Sequence, residues 1–429
     1  MPFKRRPKPA AGSVSSWTSV FKYRDFTYFW TAALISNSAQ WMQQLAVPFL
    51  VFEITDSNTW VGATAFAALI PALLINPAAG VIADRVPRRL VLTMTLAAQG
   101  MIAGCFAILW TLDELSPWRI IILSLAQGTA SGFQIASWQS FVPMLVPPEE
   151  LLTAVRLNSS QFTAARALGP LGGAGLLAFV GFGAVFVVNS ATFFLLIAVM
   201  ATVSPREVPL PASEQRALAV FKEGVNYVRS RAPLMQAVLL GFSISFFGQA
   251  LVQIAAGLAK EDYLVGETGL AGFITAVGIG SILASGFLIT RGDDWPRSTM
   301  AIIGFCIYAT GLVLTSVTSL YLVGLTGFFL MGYAHITIAI SVNTAVQIQV
   351  AEEIRGRVMS IYLMGIFGGI PLGAFVGGSL GDLIGLQLVY FGSGIFMAAI
   401  ALLARFGLGG LRLLDSNEDY LSQTRQEQA

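Results

Sequence analysis

The sequence predicts an all-α membrane protein: twelve transmembrane helices in two pseudo-symmetric six-helix bundles, with both termini cytoplasmic. Three observations lead there. Of the 429 residues, 55% are hydrophobic and only 11% charged, against about 25% charged in ordinary globular chains. The mean hydropathy of +0.72 agrees. So few charges cannot cover a soluble surface, so the solvent is a bilayer. The apolar residues fall into segments of the roughly 20 residues that a spanning helix needs. Finally, 21 of the 25 basic residues fall on one side of the resulting topology, as cytoplasmic loops require.

Residues 1–25 read as a cytoplasmic tail carrying Lys4, Arg5, Arg6, Lys8, Lys22 and Arg24. It is too long and too basic for a cleaved signal peptide. The spans are expected at 26–52, 58–81, 90–111, 118–142, 155–180 and 183–203, then at 233–258, 268–290, 298–317, 320–345, 358–381 and 384–406. With the first tail inside, Arg85, Arg88 and Arg89 lie inside as well. So do the basic residues of the 204–232 linker, Arg291, Arg297, Arg355, Arg357, Arg405 and those of the 409–429 tail. Arg119 and Lys260 fall outside, and Arg156 and Arg166 lie within or beside span five. An even number of crossings follows.

The linker is the longest connection and carries an amphipathic stretch at 217–229. Leu218, Phe221, Val225 and Val228 share one face there, which predicts a helix at the inner interface. It separates halves 26–203 and 233–408. Short matches at an offset near 200 residues relate them. Glu149-Glu150-Leu151 resembles Glu352-Glu353-Ile354, Gly169-Pro170-Leu171-Gly172 resembles Ile370-Pro371-Leu372-Gly373, and Cys105 matches Cys306. Parallel six-helix repeats are a transporter architecture with the substrate path between them.

Other classes are poorly served. A net charge of +2 gives no case for nucleic acid. Cys105 and Cys306 sit in apolar runs and are expected to be small buried hydrophobes. With the single His335, they make no metal site, and no cofactor is expected. There is no HExxH, no paired intramembrane aspartate and no Ser-His arrangement, so an enzyme is not expected.

Polar stripes mark the expected substrate path. Span one has Asn37, Gln40 and Gln44 with Trp41 beside them. Span four has Gln127, Ser131, Gln134 and Trp138, and span seven has Gln249 and Gln253. An amide facing lipid would lose its hydrogen bonds, so these stripes should face the interior. The alternative is interhelical bonding without substrate contact. Amides among aromatics suit a neutral or amphipathic organic ligand better than a small ion. Arg166 is costly at its depth. It either binds an anionic substrate group or, the slightly favoured alternative, bonds backbone carbonyls and braces the halves. His335 in span ten is the internal group that can titrate near neutral pH, although a lone histidine also serves as a packing residue.

Between spans two and three lie Gly80, Asp84, Arg85, Arg88 and Arg89. This loop resembles the G-x-x-x-D-[RK]-x-G-x-[RK]-[RK] motif of the major facilitator superfamily. Gly80, Asp84, Arg85 and Arg89 match, while Pro87 and Leu90 depart. The second-half counterpart, ending at Thr290 and Arg291, lacks the aspartate. Residues 143–170 and 355–362 resemble the branch of enterobactin exporters and macrolide-efflux-like proteins. Gly169, Pro170 and Gly173 resemble the span-five motif of exporters, with Ala165 at its earlier glycine position. Span four keeps Gln127-Gly128 of the proton-driven R-x-x-Q-G motif, but has Ser124 at the arginine position.

The resemblance implies the major facilitator fold and a conformational latch at Asp84 between the inner ends of helices two and eleven. It also implies a central cavity lined by helices one, four and seven. The expected function is export of a small hydrophobic or amphipathic molecule across the plasma (cell inner) membrane by alternating access. The expected partners are that substrate and the lipid bilayer, with a coupling proton left open and no nucleic acid. The chain is expected to be a monomer. A lipid or lysolipid flippase and a non-transporting membrane sensor are the alternatives.

Overall fold

The computed structural model describes residues 19–83, 86–205, 217–291 and 295–406, and among these every regular element is helical. The first six long helices are α1 (Arg24–Thr55), α2 (Asn58–Ala83), α3 (Arg88–Thr111), α4 (Pro117–Phe141), α5 (Leu151–Phe179) and α6 (Phe182–Thr202). The linker helix is α7 (Ala217–Arg229). It is followed by α8 (Ala232–Ile244), a π-helical turn at Ser245–Gln249, the short α9 (Ala250–Gln253) and α10 (Ala255–Gly257), and a second π turn at Leu258–Asp262. Then come α11 (Gly266–Arg291), α12 (Arg297–Ser316), α13 (Tyr321–Gln349), α14 (Glu352–Ile384) and α15 (Leu386–Phe406). All twelve expected segments coincide with helical stretches.

Among the described residues, ten helical segments are long and apolar enough to cross a membrane. α1 and α5 are long enough but not among the ten, because polar residues dilute both. Asn37, Gln40, Gln43 and Gln44 dilute α1, and Arg156, Asn158, Gln161 and Arg166 dilute α5. The two pack on each other. A Cβ on Gly169 of α5 would overlap Trp41 Cβ and the Ser38 carbonyl of α1. This close seam uses small residues in the way membrane helices generally do. Trp30 Nε1 also donates to the Leu157 carbonyl at 3.0 Å.

The helices before α7 pack chiefly on one another: α1 on α5 and α6, α2 on α4, and α3 on α4 and α6. Those after it do the same, with α12 on α13 and α15, α11 on α13, and α14 on α8. The main crossing contacts are α2 against α14 and α5 against α11. Pro170 and Pro371 stand at one register, each nineteen residues past the start of its helix at Leu151 or Glu352. The outer faces expose leucine, isoleucine and phenylalanine, among them Leu74, Phe179, Ile289 and Leu322. A bilayer accepts that surface and water does not.

Two expectations need correcting. Cys105 and Cys306 are exposed on the helix surface, not buried. In a bundle solvated by lipid, an apolar side chain has no reason to prefer the interior. Span seven is not one α-helix, since a π turn interrupts it at Ser245–Gln249. Cβ atoms on Gly369 and Gly373 of α14 would overlap the backbone of this region at Phe242 and Phe246, so the irregular backbone is covered by protein, as membrane depth demands. A helix, α7, does form over the expected linker residues. It packs on α14 and α8, and Glu223 pairs with Arg357 at 2.5 Å.

Candidate substrate cavity

Two cavities lie between helices from both sides of the linker. The first, about 600 Å³, is lined by Trp41 and Gln44 of α1, Arg166 and Pro170 of α5, and Gln249 and Gln253 of the broken helix, with α11 closing the far wall through Leu270 and Ile274. The second, about 850 Å³, includes Gln40, Gln43, Gln127, Ser131 and Asn189. Gln44, Pro48 and Gln253 line both. These volumes include space open to solvent, and the enclosed room is about 60 Å³ in the first and 160 Å³ in the second.

The expected stripes divide here. Gln40, Trp41, Gln44, Gln127, Ser131, Gln249 and Gln253 line one cavity or the other. The π turn adds a residue to the helical repeat, yet Gln249 and Gln253 still reach the first cavity together. Asn37, Gln134 and Trp138 line neither. Gln134 Oε1 accepts from Gln99 Nε2 at 2.7 Å, and Gln99 Oε1 accepts from Gln127 Nε2 at 3.2 Å. Gln99 is wholly buried, so this chain ties α3 to α4. Trp138 Nε1 donates to Asn158 Oδ1 at 3.1 Å, and its ring packs on Phe29 and Phe162. Asn37 is buried in α1, with no partner for Nδ2 among the described residues. His335 lies outside both linings, and its Nδ1 is buried without a partner among the described residues. Periodicity finds the inward face of a helix but does not distinguish a cavity from a neighbouring amide.

Replacing Gln134 by Ala should therefore lower thermal stability by about 1–2 kcal/mol, because it strands Gln99. Gln253→Ala should leave stability within about 0.5 kcal/mol and change the ranking of substrates. A melting curve and a substrate panel on both variants check this. Equal behaviour of the two would mean that the cavity wall and the α3–α4 tie have been wrongly separated.

Two polar residues escaped the sequence reading. Gln43 Oε1 accepts from Asn189 Nδ2 at 2.7 Å, and both are buried beside the second cavity. Gln43 falls between the stripe positions Gln40 and Gln44, and Asn189 is isolated in an apolar run. Neither gives a periodic signal.

Arg166 is the charged residue of this region. It forms no hydrogen bond or ion pair with any described residue, and its guanidinium lies over the Trp41 ring at 5.3 Å. No carbonyl among the described residues accepts from it. A cation at such depth costs about 2.5–3.5 kcal/mol on insertion scales. A desolvated cation–π contact returns about 2 kcal/mol, and cavity water can supply the rest. Tyr308 and His335 are near enough to feel its charge.

Of the latch residues, Asp84 and Arg85 lie outside the described residues, and Gly80 falls within α2. Arg89 Nη2 donates to the Met200 carbonyl at 2.6 Å and so ties α3 to the end of α6. Among the described residues, a carboxylate contact joins α14 to the start of α2. Asp382 of α14 accepts from Ser57 Oγ at 2.6 Å, Asn58 N at 2.6 Å and Thr59 N at 3.0 Å. A carboxylate on free N–H groups at a helix start is doubly favoured, by hydrogen bonding and by the helix dipole. Close approaches continue down the seam from Gly378 against Asn58 to Gly368 against Leu73. Lys260 adds an exposed ion pair to Asp56 at 3.4 Å, which contributes little.

An all-helical bundle with a lipid-compatible exterior and polar cavities between its halves is the arrangement of a multi-pass membrane transporter. Residues 14–426 match the family described as transmembrane secretion effector, MFS_3, and the chain belongs to that family of the major facilitator superfamily. It is 25% identical over 394 residues to the uncharacterized MFS-type transporter YfiS of Bacillus subtilis, covering 87% of this chain and 90% of that one. It is 23% identical over 408 residues to macrolide efflux protein A of Streptococcus pyogenes, covering 91% and 97%. A bacterial homolog of the human lysosomal transporter Spinster, in an inward-facing and unoccupied conformation, superposes with a TM-score of 0.67 at 14% identity, covering 93% and 98%. The fold is the major facilitator fold, the substrate is a small molecule, and the chain is a transporter, not an enzyme.

Proposed function

We propose that this protein is a monomeric secondary transporter of the plasma (cell inner) membrane that exports small amphipathic organic molecules by alternating access. It spans the membrane twelve times, with both termini cytoplasmic, and its halves 26–203 and 233–408 rock about the amide-lined cavities. α1 and α5 complete the twelve because they line those cavities and are shielded by neighbours. The observation that carries this reading is the pair of cavities holding Gln44 and Gln253 in common, between helices of the two halves. The clasp at Asp382 would then lie at the outer end, and the arrangement corresponds to an inward-facing state. The Asp84 loop, with Arg85 and Arg89, would take over when the inner end closes. Export is supported by the resemblance of Gly169, Pro170 and Gly173 to the exporter motif, and Gly169 and Gly173 seat α5 closely on α1.

Transport by the purified protein in proteoliposomes tests the reading. A panel of neutral and charged amphiphiles is offered under an imposed proton gradient, an imposed sodium gradient, or none. Protein-dependent movement of at least one panel member is expected, with neutral polar sugars ignored. No movement of any amphiphile under any gradient would contradict it.

A further inference from the structure

One cation and several unbonded amides converge on the first cavity. Among the described residues lining the two cavities, Arg166 is the one charged side chain, and no carboxylate faces it. Gln44, Gln249 and Gln253 share its cavity and make no hydrogen bond to any described residue. Their NH₂ groups remain available as donors. Trp41 holds one face of the guanidinium, which leaves its N–H edge for a ligand. An arginine with free donors, framed by amides, is built for a carboxylate, which it can bind through two parallel hydrogen bonds.

We infer that Arg166, with Gln44, Gln249 and Gln253, forms the anion subsite of the transporter, and that its preferred substrates are amphipathic monocarboxylates. The inference rests on the transporter reading and narrows it. A single cation balances a single negative charge. A phosphate dianion would stay half-compensated, and a cationic amphiphile would meet like charge with no acid to receive it. The body of the substrate lies along the second cavity. Val47, Leu69 and Phe106 offer it apolar wall, and Gln40, Gln127 and Ser131 offer hydrogen bonds. The acid is drawn in by Arg166 and released when the halves rock and water re-enters.

The test uses the purified full chain in lipid nanodiscs and three probes of one length: 11-(dansylamino)undecanoic acid, its methyl ester and the corresponding dansyl amine. Binding is read by energy transfer from tryptophan to dansyl. The acid should bind roughly 10- to 100-fold tighter than the ester, the range of a charge-assisted hydrogen bond, and the amine should bind weakest. In Arg166→Gln the acid-to-ester ratio should fall to about one. In Arg166→Lys part of it should remain, because the charge is kept and the fork is lost. The ratio corrects for general damage, and the unaltered protein alone tests the preference if Arg166→Gln fails to fold. Equal binding of acid and ester by the unaltered protein, or an acid preference that survives in Arg166→Gln, overturns the anion subsite. Movement of the ester by the same protein in vesicles would keep the transporter reading in either event, so the two fail separately.

Discussion

A valine at Gly169 is expected to abolish transport, reducing it below about one-tenth of the unaltered rate at matched abundance. The glycine lies where α5 presses on α1, and even a Cβ there would overlap Trp41 Cβ and the Ser38 carbonyl. Both obstacles belong to the α1 body, so no flexible tip can move aside. Overpacking of this kind costs about 1–3 kcal/mol, and the helices must part to accommodate it. Trp41 then leaves the guanidinium it covers, and the first cavity loses the geometry of its charged wall. Gly175→Ala on the same helix is the control, since an added Cβ there meets nothing within 4 Å. It should transport normally and be slightly more stable, as alanine favours the helix by up to about 1 kcal/mol. Rates in vesicles and melting curves for the two variants check the pair. Normal transport by Gly169→Val would show that the α1–α5 seam does not position the cavity.

Asp382→Ala should have the next largest effect, by releasing the start of α2 from α14. Three donors lose a carboxylate there. The site is exposed, so the loss is about 1–3 kcal/mol rather than the full sum of charged hydrogen bonds. A tenfold change in population needs about 1.4 kcal/mol, so the balance between closed and open ends should move by roughly 10- to 100-fold. Lys260→Ala removes the neighbouring exposed ion pair and should shift the balance by less than about threefold. Distance measurements between spin labels on the α1–α2 and α14–α15 connections would show a wider population in Asp382→Ala. If the two variants match, the clasp is not the main closure.

Much of this architecture was legible because the bilayer enforces a simple code. Apolar length located the helical segments, though not the break in span seven, and the hydrophobic face of residues 217–229 gave α7 its full extent. The offset between Gly169-Pro170 and Ile370-Pro371 reported a shared register in α5 and α14. Gly169 and Gly173, noted in the sequence as part of a motif, seat α5 closely on α1. What stayed hidden is pairwise. Gln134 and Gln253 look alike in sequence, yet one bonds Gln99 and the other faces a cavity. Gln43 and Asn189 find each other across 146 positions. Asp382 looks like a residue at a span end until α2 is placed beside it. The cysteines were misread because burial in the protein and burial in lipid satisfy an apolar side chain equally well.

The inward-facing arrangement is tested most directly by thiol labelling at position 253. Gln253→Cys would be made in a background with Cys105→Ser and Cys306→Ser, and a membrane-impermeant methanethiosulfonate added to either side of oriented vesicles. Gln253 lines both cavities, and the proposed outer clasp is Asp382 on the start of α2. Labelling from the cytoplasmic side alone is expected, with protection by a bound amphiphile. Labelling from the external side, or none from either, would contradict an internal cavity closed at the outer end.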